Sequence, residues 1–292
     1  MKIGITLAQF TDDRSRFDNS VRMAEQAGFD SIWLFDHLWP LSGGKQRPIL
    51  ESWTALAYLA TTTNDIGIGT LVTRSSLRHP AVLAKMAANV AEIAPGRLTV
   101  AIGSGDEASR SENEAFGLPY HADEDRIDQL RACVECVVRC LHEKEVTMDD
   151  DFVTLESLET SPRPQSPPPV WVAGRSDDAI EIAGTLADGW NGWGGDVARF
   201  AQDASTVLGF AEDRPVEVTW GGLISLEGPD PKRPGDGGGA LTGSPAGIAE
   251  ALAGFAEAGA THLIVTPSGR WEDAVEALGA EIVPSLRAAF GS

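Results

Sequence analysis

DIGIGTLVTRSSLRHPAVLAKMAANVAEIAPGRLTVAIGSGDE, residues 65–107, is the stretch that decides the fold. Ile66 to Val72 is apolar and punctuated by Gly67 and Gly69, the composition of a strand buried on both faces beside another backbone. Arg78-His79-Pro80 then starts a helix, since proline loses nothing in a first turn where its missing N–H would have no partner. From Ala81 to Ile93 the apolar residues Leu83, Met86, Ala87, Val90 and Ala94 recur at helical spacing. Pro95-Gly96 ends the helix, and Arg97 to Ile102 is a second short apolar strand that opens into Gly103-Ser104-Gly105-Asp106-Glu107. Strand, helix, strand at this spacing is a βαβ unit, which makes the two strands parallel neighbours in a buried sheet.

The same alternation extends in both directions. Before it, Lys2 to Ala8 reads as a strand, Arg14 to Ala27 as a helix closed by Gly28, Ser31 to Phe35 as a strand and Glu51 to Thr62 as a helix. After it come a polar loop from Ser104 to Tyr120, a helix from Glu124 to Leu141, and an excursion from Val146 to Leu158 turning at Asp149-Asp150-Asp151. A proline-rich connector, Pro162 to Pro169, leads to the strand Val170 to Ala173 and the helix Asp177 to Leu186. The remaining strands are Ala187 to Trp190, Val216 to Ser225 and Thr261 to Val265, with helices at Val197 to Phe210, Ser244 to Ala258 and Trp271 to Leu286, and a glycine-rich loop from Gly228 to Gly239. Eight β-then-α units predict a single (β/α)₈ TIM-barrel domain over residues 1–292, with insertions after strands 4 and 7. No G-x-G-x-x-G fingerprint follows the first strand to favour an open, doubly wound sheet.

Composition narrows the partners. The formal charge is −20, with five lysines against 43 acids, so simple repulsion disfavours nucleic acid and anionic membranes and points to small molecules. The acidic, lysine-poor character fits either a high-salt source or codon bias. No run of eighteen apolar residues and no leader precedes the first strand, so a cytoplasmic protein without a membrane span is expected. Cys133, Cys136 and Cys140 include a C-x-x-C spacing, but they also fall at i, i+3 and i+7 of a helix with Ile127, Leu130, Val134, Val137 and Val138, which predicts core packing rather than a metal site.

In a barrel of this kind reactive groups stand at the carboxyl ends of strands. Those ends carry Gln9; Asp36-His37; Leu71-Val72-Thr73; Ser104-Gly105-Asp106-Glu107; Gly174-Arg175-Ser176; Asn191 to Gly195; and Thr266 to Gly269. Gly174-Arg175-Ser176 combines a helix start with a cation, which is either an anion cradle or an ordinary cap. His37 beside Asp36 is a candidate base, while Asp106 and Glu107 are either ligand-facing or solvated loop acids. Trp39, Trp190 and Trp193 would make the mouth aromatic and suit a flat ring.

Taken together, Ala24 to Trp33, Asp36-His37, Gly69-Thr70-Leu71-Val72, Arg78-His79-Pro80, Pro95-Gly96-Arg97 and Gly184 to Trp193 resemble the luciferase-like monooxygenase superfamily over nearly the whole chain. The resemblance implies a (β/α)₈ barrel binding FMN or the deazaflavin coenzyme F420. It implies a bulge with a non-proline cis peptide at Leu71-Val72 behind the ring. It places Asp36 and His37 near the reactive face, Ser104, Gly105 and Asp106 in the deazaflavin-branch motif after strand four, and Gly174, Arg175 and Ser176 at the phosphate. The chain departs from many relatives in having Arg175 where they have a second glycine.

Three functions follow. The first is a coenzyme F420-dependent oxidoreductase in which His37 handles one proton, Asp36 orients it, and Glu107 or Asp106 is a second acid–base group. The alternative is an FMN-dependent monooxygenase served by a partner reductase. The third is a flavin-binding protein without turnover. The substrate pocket would be built by the loops Gly43 to Pro48, Ser104 to Tyr120 and Gly228 to Gly239; a homodimer through barrel helices is expected from the resemblance, and the apolar stripes of helices two and three are the candidate surface.

Overall fold

The computed structural model describes residues 1–40, 44–226 and 239–291. Its strands are β1 (Lys2–Thr6), β2 (Ser31–Leu34), β3 (Gly67–Arg74), β4 (Leu98–Gly103), β5 (Val146–Asp149), β6 (Thr154–Leu158), β7 (Val170–Ala173), β8 (Gly189–Trp193), β9 (Glu217–Ser225), β10 (Leu241–Thr242) and β11 (His262–Pro267). The helices are α1 (Arg14–Gln26), α2 (Ser52–Thr62), α3 (Pro80–Ile93), α4 (Arg110–Ala115), α5 (Asp123–His142), α6 (Asp177–Leu186), α7 (Val197–Ala211), α8 (Pro245–Glu257), α9 (Trp271–Ala277) and α10 (Val283–Phe290). The parallel sheet runs β9-β11-β1-β2-β3-β4-β7-β8, and β8 pairs back onto β9, so eight strands close into the expected TIM barrel. The excursion after α5 is the antiparallel hairpin β5-β6. Of the loops expected to shape the pocket, Gly43 and residues 228–238 lie outside the described residues.

Two apolar clusters hold the barrel. The larger lies between sheet and helices and takes in Cys133, Cys136 and Cys140, all buried on the inner face of α5. The smaller fills the lumen with Trp33, Leu71, Ala101, Trp171 and Ile264. Trp33 and Trp171 stack there with ring centroids 5.2 Å apart, and both meet His262 edge-on at 5.7 Å. The Trp33 indole N–H donates to Ser31 Oγ (2.7 Å), which in turn bonds His262 Nε2 (2.8 Å). Burial, with Lys2 nearby, pushes the His262 imidazole down to about 3, so it stays neutral. Below this floor, at the amino ends of the strands, is a cavity of about 400 Å³. The indoles fit because glycines face them: a Cβ on Gly69 would lie 2.5 Å from the Trp33 ring, and one on Gly189 would lie 2.4 Å from Trp171.

Several strand ends shift by one or two residues, and two segments differ from expectation by more. Strand β8 covers Gly189–Trp193 rather than residues 187–190. Its Asn191 and Gly192 suggest a loop, but Asn191 is buried with Nδ2 bonded to Thr219 Oγ1 (2.9 Å), and Gly192 lies against Trp190 and Phe200. The segment Ser104 to Tyr120, expected to be a loop, contains a 3₁₀ turn (Glu107–Ser109) running into α4. Between β3 and β4 the register shifts from Thr70 to Thr73, and the Leu71-Val72 peptide within that bulge is cis. No helix among the described residues is long and apolar enough to cross a membrane.

Replacing Gly69 with alanine should destabilise the protein by about 1–3 kcal/mol through overpacking, because the new methyl would also sit 2.9 Å from the Thr99 carbonyl oxygen and that backbone cannot retreat. Urea unfolding reads this directly, and an unchanged midpoint would show that the lumen is looser than described.

Candidate active site at the carboxyl end of the barrel

The side chains after β2, β3 and β4 converge through one carboxylate. Glu112, on α4, is 4% exposed. Its Oε2 is 2.9 Å from His37 Nδ1, and its Oε1 accepts the backbone N–H groups of Leu38 and Trp39 while standing 3.0 Å from Arg74 Nη2. Arg74, itself 3% exposed, donates to Asn113 Oδ1 (2.9 Å), and Asn113 Nδ2 donates to Ser76 Oγ (3.0 Å) and the Pro119 carbonyl (2.7 Å). Burial alone would raise the Glu112 carboxyl. The His37 hydrogen bond and charge, the Leu38 N–H and Arg74 together hold it below the ordinary carboxylate value. An ionised carboxylate only accepts, so His37 carries its proton on Nδ1 when neutral and leaves Nε2 as the basic nitrogen, which has no hydrogen-bond partner among the described residues.

This corrects the role expected for Asp36. Asp36 is fully buried and faces the helix layer, accepting from Ser52 Oγ (2.6 Å) and from both terminal nitrogens of Arg78 (2.5 and 3.0 Å). Arg78 also bonds Glu51, the N-cap of α2. Asp36 therefore ties β2 to α2 and to the start of α3, and Glu112 takes the place beside His37. Glu107 is likewise not beside His37: its exposed carboxylate pairs with Arg110 (2.6 Å), and that hydrogen bond draws its proton affinity down. Asp106 caps the 3₁₀ turn, accepting from Ser109 N–H (3.0 Å) and Oγ (2.8 Å). Glu112 was hidden in the sequence because its segment reads as a polar loop; the capping Asp106 three residues before Ser109 is the signal that a helical turn starts there.

The other expected residues divide between the mouth and its framework. Leu71 and Val72 form the bulge, with Val72 against Gly103. Thr73 is committed behind it, accepting the Trp53 indole N–H (3.0 Å) and bonding Thr70 Oγ1 (2.8 Å). Gly105, at φ +75°, packs beside Arg74, and the neighbouring Ser104 hydroxyl turns onto the Gly105 carbonyl. Ser176 caps α6. Arg175 crosses to β8, where it donates to the Gly194 carbonyl (3.1 Å) and pairs with Asp203 (2.9 Å), its Nη2 buried without a hydrogen-bond partner. Gly194 and Gly195, at φ +62° and +77°, sit beside that guanidinium. Of the three tryptophans expected at the mouth, Trp190 is fully buried and packs on Phe200, while Trp39 and Trp193 stay partly exposed.

A family model for luciferase-like monooxygenases matches residues 2–220. The F420-dependent glucose-6-phosphate dehydrogenase of Beutenbergia cavernae is 35% identical over 172 residues, 58% of this chain and 49% of that protein. The F420-dependent hydroxymycolic acid dehydrogenase of Mycobacterium tuberculosis is 28% identical over 211 residues, 72% of this chain and 56% of that protein. The chain thus spans about half the length of the curated relatives it matches. Among solved structures, an F420-dependent secondary alcohol dehydrogenase in complex with an F420-acetone adduct superposes with a TM-score of 0.81 at 19% identity, covering 98% of this chain and 99% of that one. The coenzyme F420-dependent tetrahydromethanopterin reductase from Methanopyrus kandleri gives 0.78 at 17%, with the same coverage. At these identities the likeness is one of fold.

Because Arg74 is buried, removing its counter-charge should be costly: Glu112→Ala is expected to lose about 3–5 kcal/mol at neutral pH. Since the Glu112 carboxyl titrates lower folded than unfolded, its stabilisation is complete above the ordinary carboxylate value of 4.5 and is lost as pH falls through the depressed folded value. Urea unfolding of wild type and Glu112→Gln across pH 7 to 3 tests this; parallel acid dependences in the two proteins would refute it.

Proposed function

The chain belongs to the luciferase-like monooxygenase family, and from that premise we propose that it is a coenzyme F420-dependent oxidoreductase moving a hydride to or from a small organic substrate. The observation that carries this reading is the His37–Glu112 pair at the mouth, 2.9 Å apart, which leaves one basic nitrogen uncommitted. The names of the curated relatives support the choice of coenzyme.

The residues present fit such a group. A buried guanidinium nitrogen on Arg175 without a partner, beside two glycines with positive φ, suits an anionic phosphate, which needs close backbone approach and a cation. Gly174, Arg175 and Ser176 would hold the phosphate, and Leu71, Val72, Ser104 and Gly105 the ring. Coenzyme F420, when bound, supplies or accepts a hydride, which leaves the protein a single proton to manage. His37 Nε2 takes that proton from the substrate atom when the substrate is oxidised and returns it when the substrate is reduced. Glu112 fixes the tautomer and stabilises the imidazolium that forms, and His37 itself, the Leu38 N–H and Arg74 together hold Glu112 as a carboxylate.

The chain is further proposed to act as a homodimer. Val82 and Ile93 on α3 are 53% and 48% exposed, and eleven residues at about 100° each bring them onto one face. Light scattering should give twice the chain mass, falling to the monomer in a Val82→Lys, Ile93→Lys variant; a monomeric wild type would end this proposal.

Tryptophan-quenching titrations with coenzyme F420 and with FMN test the coenzyme, tight binding of F420 alone being expected and a preference for FMN overturning it. His37→Ala should bind the coenzyme as wild type does while losing about 10²–10⁴ in kcat. An unchanged kcat would remove His37 from the chemistry.

A further inference from the structure

The cations at the mouth are almost all committed. Arg78 is held by Asp36 and Glu51, Arg74 by Glu112, Arg110 by Glu107, and Arg175 by Asp203. Lys45 and Arg47 are different: among the described residues neither has a carboxylate partner. The Lys45 ammonium lies 3.7 Å from the centroid of the Trp39 ring, and the Arg47 guanidinium lies 5.4 Å from that of Phe10. Both rings belong to the mouth. Trp39 donates its backbone N–H to Glu112, the carboxylate that holds His37, and its indole meets Phe116 at 5.9 Å. Phe10 stacks on Phe35 at 6.3 Å, and Phe35 meets Trp193 edge-on at 6.4 Å. Phe116, in edge contact with Trp39, is an apolar ring left 50% exposed.

We propose that Lys45 and Arg47 are the anion-recognition pair of the substrate site, and that the substrate carries an oxyanion, carboxylate or phosphate, at one end of an apolar body that lies against Trp39 and Phe116. The inference deepens the proposed function and rests on it for the identity of the site. A protein of net charge −20 repels anions at long range, so an anionic substrate needs local cations that no acid has cancelled. Cation–π contacts at exposed positions are weak, so both side chains can turn from ring to oxyanion at little cost, leaving the rings to cover the apolar part of the ligand. Arg74, Arg78 and Arg110 are each neutralised by a carboxylate and could not serve in this way, and Arg175 stands at the position proposed for the coenzyme phosphate.

The test uses quenching of tryptophan fluorescence by 4-nitrobenzoate, 4-nitrophenyl phosphate and the neutral 4-nitrobenzyl alcohol, with and without saturating coenzyme F420. One or both anions should bind at least about tenfold more tightly than the alcohol, which identifies the preferred oxyanion, and the preference should shrink as salt is raised. A Lys45→Ala, Arg47→Ala double variant should lose the preference while keeping alcohol binding and coenzyme affinity. Both positions are exposed, so its melting temperature should match wild type and serve as the folding control. Equal binding of anions and alcohol by wild type would overturn the proposal, as would a double variant that keeps the preference or that loses coenzyme affinity instead, since the pair would then serve the coenzyme. Failure of the wild type to bind the coenzyme at all would count against the proposed function, and the anion preference would still be read without it.

Discussion

The ion pair between Arg74 and Glu112 governs the mouth of this barrel. Two charges taken out of water destabilise the fold unless they are paired and supported by further hydrogen bonds. Here the answering groups come from the end of β2 and from α4: the Leu38 and Trp39 N–H groups and the His37 ring on Glu112, Asn113 on Arg74. Satisfying the pair therefore fixes where α4 sits, how the chain leaves β2, and which nitrogen of His37 carries a proton. The His37 imidazole is positioned as a by-product of solving a burial problem.

The second buried pair, Asp36 with Arg78, works the same way one layer further out. Asp36 and His37 are adjacent in sequence, and adjacency invites the reading that they act as a couple. In extended chain, however, successive side chains point to opposite sides. One goes to the helix layer to meet Ser52 and Arg78, the other to the mouth. Local order in the chain and chemical partnership are separate properties, and here they are opposed.

That separation explains what the sequence disclosed and what it withheld. The strand-helix-strand signal in residues 65–107, the capping residues and the buried cysteines of α5 depend on periodicity and burial, which neighbouring residues carry among themselves, and so the barrel was legible. Even the bulge with its cis peptide at Leu71-Val72 agreed with the expectation drawn from resemblance. Glu112 was not legible, because its meaning depends on contacts 75 residues away in the chain. Strand β8 was misplaced for a related reason: Asn191 and Gly192 are turn formers by composition, but the buried Asn191 amide answers Thr219 and Gly192 leaves room for Trp190 and Phe200 in the layer between sheet and helices. Propensity yields to tertiary context wherever a strand must pack on both of its faces.

The floor of that lumen has a further meaning. Trp33 and Trp171, each 1% exposed, lie face to face across it with His262 against their edges. A plug of this kind makes the barrel a vessel with one opening. Any ligand taken up above the plug therefore enters and leaves by the carboxyl end of the strands, the end at which His37 and Glu112 stand.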